Sequence, residues 1–254
     1  MIKFIKSSEY RSYTDYWRLV ELGGFEIVGL DKAELDNSEH TYITTFFDGN
    51  LSAALSKSTR ARVILWHIEW TEDLPQAPGL DEVWVSDRWY AKKIGARFVP
   101  FGSHPDLITV KNAPGAGASD VCTLSYSQYG SRRWLIEKRL KERGVTIAPN
   151  GWDSERDDTL QNSRLMMHVH QRADFPCIAM QRFAIAASAK IPLISETVNN
   201  SFPLVDGEGV FMVDYGDLSK TIKHYLKNIP PADGLYQKLC IEYRFDKVVR
   251  NVVC

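Results

Sequence analysis

The sequence lacks the features that assign many proteins to a class at once. It contains no apolar run close to the roughly 20 residues that a membrane-spanning helix needs. Its four cysteines are far apart and match no zinc-binding spacing. Its net charge of −1 gives no reason to expect bulk electrostatic attraction to nucleic acid. We therefore expect a cytoplasmic protein with reduced thiols, no metal site and no integral membrane contact.

A dinucleotide-binding fingerprint is also missing, because no Gly-x-Gly-x-x-Gly follows the first apolar strand. A dinucleotide-dependent enzyme is therefore disfavoured. The overall composition is that of a globular protein, since 44% of the 254 residues are apolar and 25% are charged. This length is sufficient for one large domain or two smaller ones.

Short apolar strands alternate with helical segments along the chain, which predicts an α/β fold with mostly parallel sheets. Proline, glycine and small residues over 111–119 indicate a linker. We predict an N-terminal domain over 1–110, a C-terminal domain over 120–234, and a final helical segment, 235–254, that could pack back on the first domain. The predicted architecture is two Rossmann-like domains facing across a cleft. Open α/β sheets bind ligands at the carboxyl ends of their strands, so the cleft is the expected site.

A turn of glycine, serine and two arginines is the most informative segment of the sequence. Peptide N–H groups at the start of a helix have no intrahelical partner, and the helix dipole favours an anion there. Gly130 allows a ligand to approach the backbone closely, and Arg132 and Arg133 follow in the first turn of the predicted helix. Cations oppose the dipole at this end, so the arrangement favours a bound anion such as a diphosphate. Two solvated arginines on an exposed turn are the alternative.

The second half, over about residues 119–230, resembles the donor-binding domain of two-domain glycosyltransferases of the GT-B fold. The resemblance rests on the turn just described and on the order of four later features. These are an Asn-Gly-Trp-Asp segment, a strand that ends in a histidine, an arginine on a buried helix, and a strand that ends in Ser-Glu. The first half matches more loosely, through residues 66–70 and 100–105. In the second half, the side chains that represent the four later features are, in order, Trp152, His170, Arg182 and Glu196.

The resemblance implies that the second half binds a nucleoside-diphosphate sugar and that the first half lies on the acceptor side. Negative charge develops on the leaving diphosphate, and in the absence of a metal it is neutralised by cationic side chains and helix N-termini. This role is assigned to Arg132 and Arg133 together with the backbone of Gly130 and Ser131. Arg182 is assigned a second cationic contact.

Four other side chains of the second half have both a functional and a structural interpretation. His170 is expected to donate to phosphate or sugar hydroxyls, whereas His168 is expected on the opposite side of the strand, as a core residue. Glu196 is expected to accept hydrogen bonds from the ribose, or else to be a helix cap, an exposed acid or a partner of Arg182. Trp152 is expected to stack on the nucleobase, or else to be an ordinary packing residue.

The first half contains the candidates for a catalytic base. An inverting transfer needs a base that takes the proton of the acceptor hydroxyl. His67 and Glu69 follow the most apolar strand and lie on one side of it by alternation. Asp48, at the end of an earlier strand, is the competing candidate. Each of the three could instead be structural.

The function predicted from these features is metal-independent transfer of a hexose from a nucleoside-diphosphate sugar, expected to be a UDP-sugar, to an acceptor hydroxyl. The acceptor is expected to be a glycan, a protein or a modified nucleobase in DNA, and no cofactor is expected. A catalytically inactive nucleotide-sugar-binding module is one alternative. An unrelated two-lobed α/β protein, such as a sugar epimerase or a ligand-responsive regulator, is another.

Overall fold

The computed structural model describes residues 1–6, 14–45, 49–57, 60–67, 79–108, 119–150 and 154–253. The chain divides into two compact units: the first comprises Met1–Gly102 with Arg244–Cys254, and the second comprises Ser103–Tyr243. Among the described residues, no helix combines the length and apolar character that crossing a bilayer requires.

The secondary structure alternates between strands and helices, as the sequence predicts. In chain order, the strands are β1 (Ile2–Lys6), β2 (Glu26–Gly29), β3 (Thr41–Thr44), β4 (Arg62–His67), β5 (Glu82–Val85), β6 (Arg97–Phe98), β7 (Ser119–Cys122), β8 (Ser163–His168), β9 (Leu193–Glu196) and β10 (Val210–Val213). The helices are α1 (Thr14–Leu22), α2 (Gly49–Leu55), α3 (Arg88–Ile94), α4 (Arg132–Glu142), α5 (Ser154–Gln161), α6 (Met180–Ser188), α7 (Leu218–Tyr225), α8 (Asp233–Tyr236), which continues as a π-helical segment (Gln237–Glu242), and α9 (Phe245–Val253).

The first unit is built on a parallel sheet in the order β2-β1-β3-β4-β5-β6. Aromatic side chains fill its core. The ring of Trp66 on β4 stacks on that of Phe245, with centroids 5.6 Å apart and planes 7° apart. Phe245 belongs to α9 and also contacts Phe4 of β1, at 6.1 Å between ring centroids. The last helix of the chain therefore contributes to the core of the first unit.

The second unit is built on a parallel sheet in the order β10-β9-β8-β7. Alternation along β8 sends Leu165 and Met167 to the face that α4 and α7 cover. His168 lies on the opposite face, where its ring contacts Phe183 of α6 at 5.6 Å between centroids. Helices thus cover both faces, which is the arrangement of doubly wound α/β folds. The core on the first of these faces consists of Val121, Ile136, Leu140, Val145, Leu165, Met167, Val169, Ile194, Leu218 and Ile222.

Two local expectations are wrong in detail. The sequence predicts a strand over 145–148, but within the described residues this segment forms only a single parallel bridge, between Val121 and Ile147. The sequence also predicts one helix from residue 235 onward, whereas the observed helix is interrupted at Tyr243. After the interruption, the Arg244 guanidinium pairs with Asp246, in the first turn of α9, at 2.6 Å between Nε and Oδ1. A carboxylate is favourable at that end of a helix, so this residue supports a new helical start.

Candidate functional site

The turn before α4 has the conformation that the sequence suggests. Gly130 has φ +77°, a value that favours glycine, and a Cβ there would meet no atom within 4 Å. Ser131 is the N-cap of α4, and its hydroxyl accepts a hydrogen bond from the backbone N–H of Trp134 at 3.2 Å. Arg132 and Arg133 are the first two residues of the helix. The turn therefore presents an open backbone and two cations at one helix N-terminus.

The guanidinium of Arg133 is held by neutral acceptors. Its Nε donates to the carbonyl oxygen of Val169 at 3.0 Å, and Nη1 donates to that of Tyr126 at 3.5 Å. Burial lowers the pKa of Arg133, while the negative charge of Glu137, one turn further along α4, acts in the opposite direction. The two carbonyl contacts fix the side chain without neutralising it, so its positive charge can act on an anion at the turn.

Arg132 is held by the ends of two neighbouring strands. It forms an ion pair with Glu196, the last residue of β9, whose other carboxylate oxygen accepts from the backbone N–H of His170 at 3.1 Å. The guanidinium also lies over the ring of Tyr215, with Cζ 4.0 Å from the ring centroid. The Tyr215 hydroxyl donates to the backbone carbonyl of Arg132 at 3.0 Å. The Nε atom of Arg132 is buried and has no hydrogen-bond partner.

His170 lies just beyond the end of β8. Its Nε2 is 3.0 Å from the carbonyl oxygen of Thr197, which can only accept, so Nε2 carries the proton. Burial is the main reason that the pKa of His170 is lowered, and the charges of Arg132 and Arg133 contribute. The bond to Thr197 and the charge of Glu196 oppose this shift. At neutral pH the imidazole is therefore uncharged, and Nδ1 is suited to accept from a sugar hydroxyl.

His168 is an inner neighbour of His170 rather than a residue on the opposite side. Its Nδ1 donates to the Ser195 hydroxyl at 3.2 Å, and that hydroxyl donates to the backbone oxygen of Glu196 at 2.9 Å. The two imidazole centroids are 5.2 Å apart, with planes at 82°. The expectation of opposite sides is wrong because residues two apart in an extended segment lie on the same face, and the alternation of Leu165, Met167 and Val169 towards the other face continues past His168. Burial, followed by the nearby charge of Arg182, lowers the pKa of His168, which is therefore neutral.

Arg182 places a third guanidinium near these residues. It is the third residue of α6, whose N-cap, Ala179, makes no side-chain capping bond. Its effect on the pKa of His168 shows that its charge lies close to that ring. Glu196, which the sequence offers as an alternative partner of Arg182, pairs instead with Arg132.

The structure thus brings most of the candidates in the second half to one edge of its sheet, around the carboxyl ends of β8 and β9. Trp152 lies outside the described residues. The members of this group, named here the arginine site, are Gly130, Ser131, Arg132, Arg133, His170, Arg182 and Glu196.

Of the three candidate bases, only His67 falls within the described residues, since Asp48 and Glu69 lie outside them. His67 ends β4 and is 8% exposed. Its ring centroid is 6.3 Å from that of Tyr90. Burial lowers the pKa of His67 to about 4, so the imidazole is neutral at pH 7 and only weakly basic.

Sequence reasoning missed Tyr215, which contacts Arg132. Tyr215 follows β10, and the rule that ligands bind at the carboxyl ends of parallel strands would have selected it. A groove of about 520 Å³ lies beside the same strand end. This groove, named here the α7 groove, is lined by Thr197, Asp214, Asp217, Lys220, His224 and Tyr225, among others.

Within the described parts of the chain, no group of three or more His, Cys, Asp or Glu side chains is arranged to hold a metal ion. Metal independence nevertheless stays a prediction, because the arrangement of side chains does not test whether the transfer reaction needs a metal.

No protein-family model and no curated protein sequence matches this chain, but solved structures do. AviGT4, a glycosyltransferase involved in avilamycin A biosynthesis, has a TM-score of 0.67 at 12% identity, with 99% of this chain and 95% of that chain covered. HepE of Anabaena, solved with UDP and glucose, has a TM-score of 0.58 at 11% identity, with 99% of both chains covered. T4 phage BGT, solved with its UDP-glucose substrate, has a TM-score of 0.55 at 9% identity, again with 99% of both covered.

The similarity to TarM, with a TM-score of 0.56 at 12% identity, covers 86% of this chain but only 55% of TarM. Identities this low establish architecture rather than activity. The chain has the α/β fold of the GT-B glycosyltransferases, as its sequence predicts.

Proposed function

We propose that the protein is a glycosyltransferase that moves a hexose from a UDP-sugar to an acceptor hydroxyl, without a metal and in the cytoplasm. One observation carries this proposal. Arg132 and Arg133 lie at the N-terminus of α4, and the charge of Arg182 acts on His168, whose ring lies beside that of His170, at the carboxyl ends of the strands of a GT-B fold.

The chemistry follows from where charge develops. The bond between the anomeric carbon and the diphosphate breaks, and the diphosphate leaves with additional negative charge. A new bond forms between the anomeric carbon and the acceptor oxygen, whose proton passes to a base. Arg133, held by two carbonyl oxygens, is preorganised to stabilise that charge, whereas the N–H of Ser131 already donates to the carbonyl oxygen of Gln128 at 2.9 Å.

The remaining members of the arginine site recognise the donor. His170 is placed to accept from a sugar hydroxyl through Nδ1, because its Nε2 is engaged by Thr197. Glu196 has the chemistry to accept from ribose hydroxyls, and Trp152 would stack on the base. The choice of a UDP-hexose is supported by HepE, solved with UDP and glucose, and by T4 phage BGT, solved with UDP-glucose.

The acceptor is proposed to be a glycan, a protein or a modified nucleobase in DNA. The net charge of −1 favours the first two, because a DNA-binding protein gains affinity from basic residues that neutralise phosphates. Glu69, His67 and Asp48 remain the proposed bases on the acceptor side.

A catalytically inactive nucleotide-sugar-binding module is the second candidate. It is favoured by the environment of His67, because an imidazole whose pKa is about 4 is a weak general base at neutral pH. In that case the arginine site would bind the donor, but no transfer would follow.

The test is to measure UDP release from UDP-glucose and other UDP-hexoses, with and without acceptors, and with and without EDTA. The enzyme proposal expects UDP release that EDTA does not reduce. A loss of release in EDTA would contradict metal independence. Binding of UDP without release from any donor would support the binding module, and failure to bind any nucleoside diphosphate would contradict both.

A further inference from the structure

We propose that Tyr215 is a positioning residue of the arginine site, whose ring holds the guanidinium of Arg132 in the orientation that binds the donor diphosphate. The inference rests on the proposed function, since it assigns a role in donor binding. Tyr215 lies in the loop between β10 and α7, outside the segments that carry the other candidate residues.

The geometry ties Tyr215 to Arg132 in two ways. The guanidinium carbon lies 4.0 Å from the ring centroid, which is within the range of a cation–π contact. The Tyr215 hydroxyl donates to the backbone carbonyl of the same arginine at 3.0 Å. The first contact holds the side chain of Arg132, and the second holds the first turn of α4 against the loop that follows β10.

Arg132 occupies a position where a cation is unfavourable in the absence of a ligand. It is at the first residue of α4, where the helix dipole opposes positive charge, and Arg133 follows it directly. Its Nε is buried without a hydrogen-bond partner, which is costly for a charged donor group. Glu196 offsets part of the charge of Arg132. Unfavourable local features of this kind are typical of functional sites, and a bound diphosphate would supply a further anion beside Arg132 and Arg133.

The flat ring is suited to hold a guanidinium. Stacking occupies the face of the planar group and leaves the N–H donors at its edge available for oxygen acceptors. In the structure one of these donors binds Glu196, and phosphate oxygens are the acceptors that match the same geometry. The ring therefore keeps the edge of Arg132 directed towards an anion.

The experiment compares three variants by the dissociation constant of UDP, measured by calorimetry on the full chain. Tyr215→Leu removes the ring and should raise Kd about fivefold. Tyr215→Phe keeps the ring and should stay within about twofold of the unmodified protein, because a single exchanged hydrogen bond contributes little. Tyr236→Leu is the matched control, since Tyr236 makes a comparable contact with Lys190 at 4.3 Å and should leave Kd unchanged.

A double-mutant cycle shows whether Tyr215 acts through Arg132. Arg132→Ala should weaken UDP binding, and adding Tyr215→Leu to it should weaken binding no further. Additive losses, or a Tyr215→Leu variant that binds UDP as the unmodified protein does, would overturn the inference.

A further variant tests the stacking without changing Tyr215, in case Tyr215→Leu does not fold. Arg132→Lys keeps the charge but loses the planar group, so it should weaken UDP binding; wild-type affinity would overturn the inference. If the unmodified protein binds no UDP, the proposed function itself fails. If the unmodified protein binds UDP, and Tyr215→Leu and Arg132→Lys bind it equally well, only the positioning role of Tyr215 fails.

Discussion

At the scale of single residues, Arg133 should contribute directly to donor affinity. Its charge faces two carbonyl oxygens instead of a paired carboxylate, so a diphosphate would gain charge-assisted hydrogen bonds from it. Arg133→Ala should raise the Kd of UDP by about 10- to 100-fold, measured by calorimetry. Arg172→Ala is the control, because Arg172 is an exposed arginine that pairs with Asp174 at 2.6 Å. Equal UDP affinity in the two variants would contradict the assignment.

His67 should make the first unit sensitive to acid. Its pKa is about 4 in the folded state and about 6.5 in an unfolded chain, so between these values the unfolded state binds more protons. The free energy of unfolding should therefore fall as the pH drops from 6.5 to 4, by about 2 kcal/mol between pH 7 and pH 5. His67→Gln should remove that part of the pH dependence, as measured by urea unfolding at the two pH values. A variant with the pH dependence of the unmodified protein would show that His67 is not buried in a neutral form.

At the scale of elements, alanine substitutions at Gly130 and Gly144 distinguish an effect on ligand binding at the turn before α4 from the backbone strain that a Cβ introduces at either position. They have φ +77° and +76°, lie at opposite ends of α4, and a Cβ at either would meet no atom within 4 Å. Substituting alanine should therefore destabilise the protein by about 1–2 kcal/mol at each position. Only Gly130→Ala should also weaken UDP binding, because only that turn lies at the arginine site. Calorimetry combined with urea unfolding checks both parts, and equal UDP affinities in the two variants would count against close approach of the ligand to residue 130.

Sequence patterns predict single helices and strands better than they predict the contacts between them. The predicted start of α4 at Arg132 is confirmed, because a serine cap and the following side chains are local signals. The relation of His168 to His170 was predictable, since residues two apart in a strand share a face, and the expectation of opposite sides misapplied that rule. The position of Tyr215 after β10 could have marked it as a candidate, but its contact with Arg132, 83 residues away in the chain, could not be predicted from local signals.

At the scale of the whole molecule, the alternation of strands and helices was sufficient to predict the α/β class, and the resemblance added the GT-B fold. The strand order β10-β9-β8-β7 is what brings Glu196 of β9 beside the segment that follows β8. Alternation alone does not determine that order, because a parallel sheet can be wound in several ways. The sequence could therefore name residues of the arginine site, but not their pairing.

The strand order also creates two places at the edge of the second unit where a nucleotide could lie: the arginine site and the α7 groove. Thr197 borders both, because its carbonyl accepts from His170 and its side chain lines the groove. The groove carries Asp214 and Asp217, whose charges disfavour a diphosphate there. We therefore expect UDP to occupy the arginine site.

UDP at about 100 times its Kd should stabilise the state that binds it by about 2.7 kcal/mol. Amide hydrogen exchange locates this effect within a chain of two units, where a single melting temperature would not. Protection should appear at residues 130–133 and 196–197, and not along α7. Lys220→Ala removes a cation from the groove and should leave this pattern unchanged, whereas Arg133→Ala should weaken it. Protection along α7 that Lys220→Ala abolishes would place the nucleotide in the groove, and the three arginines would then need another explanation.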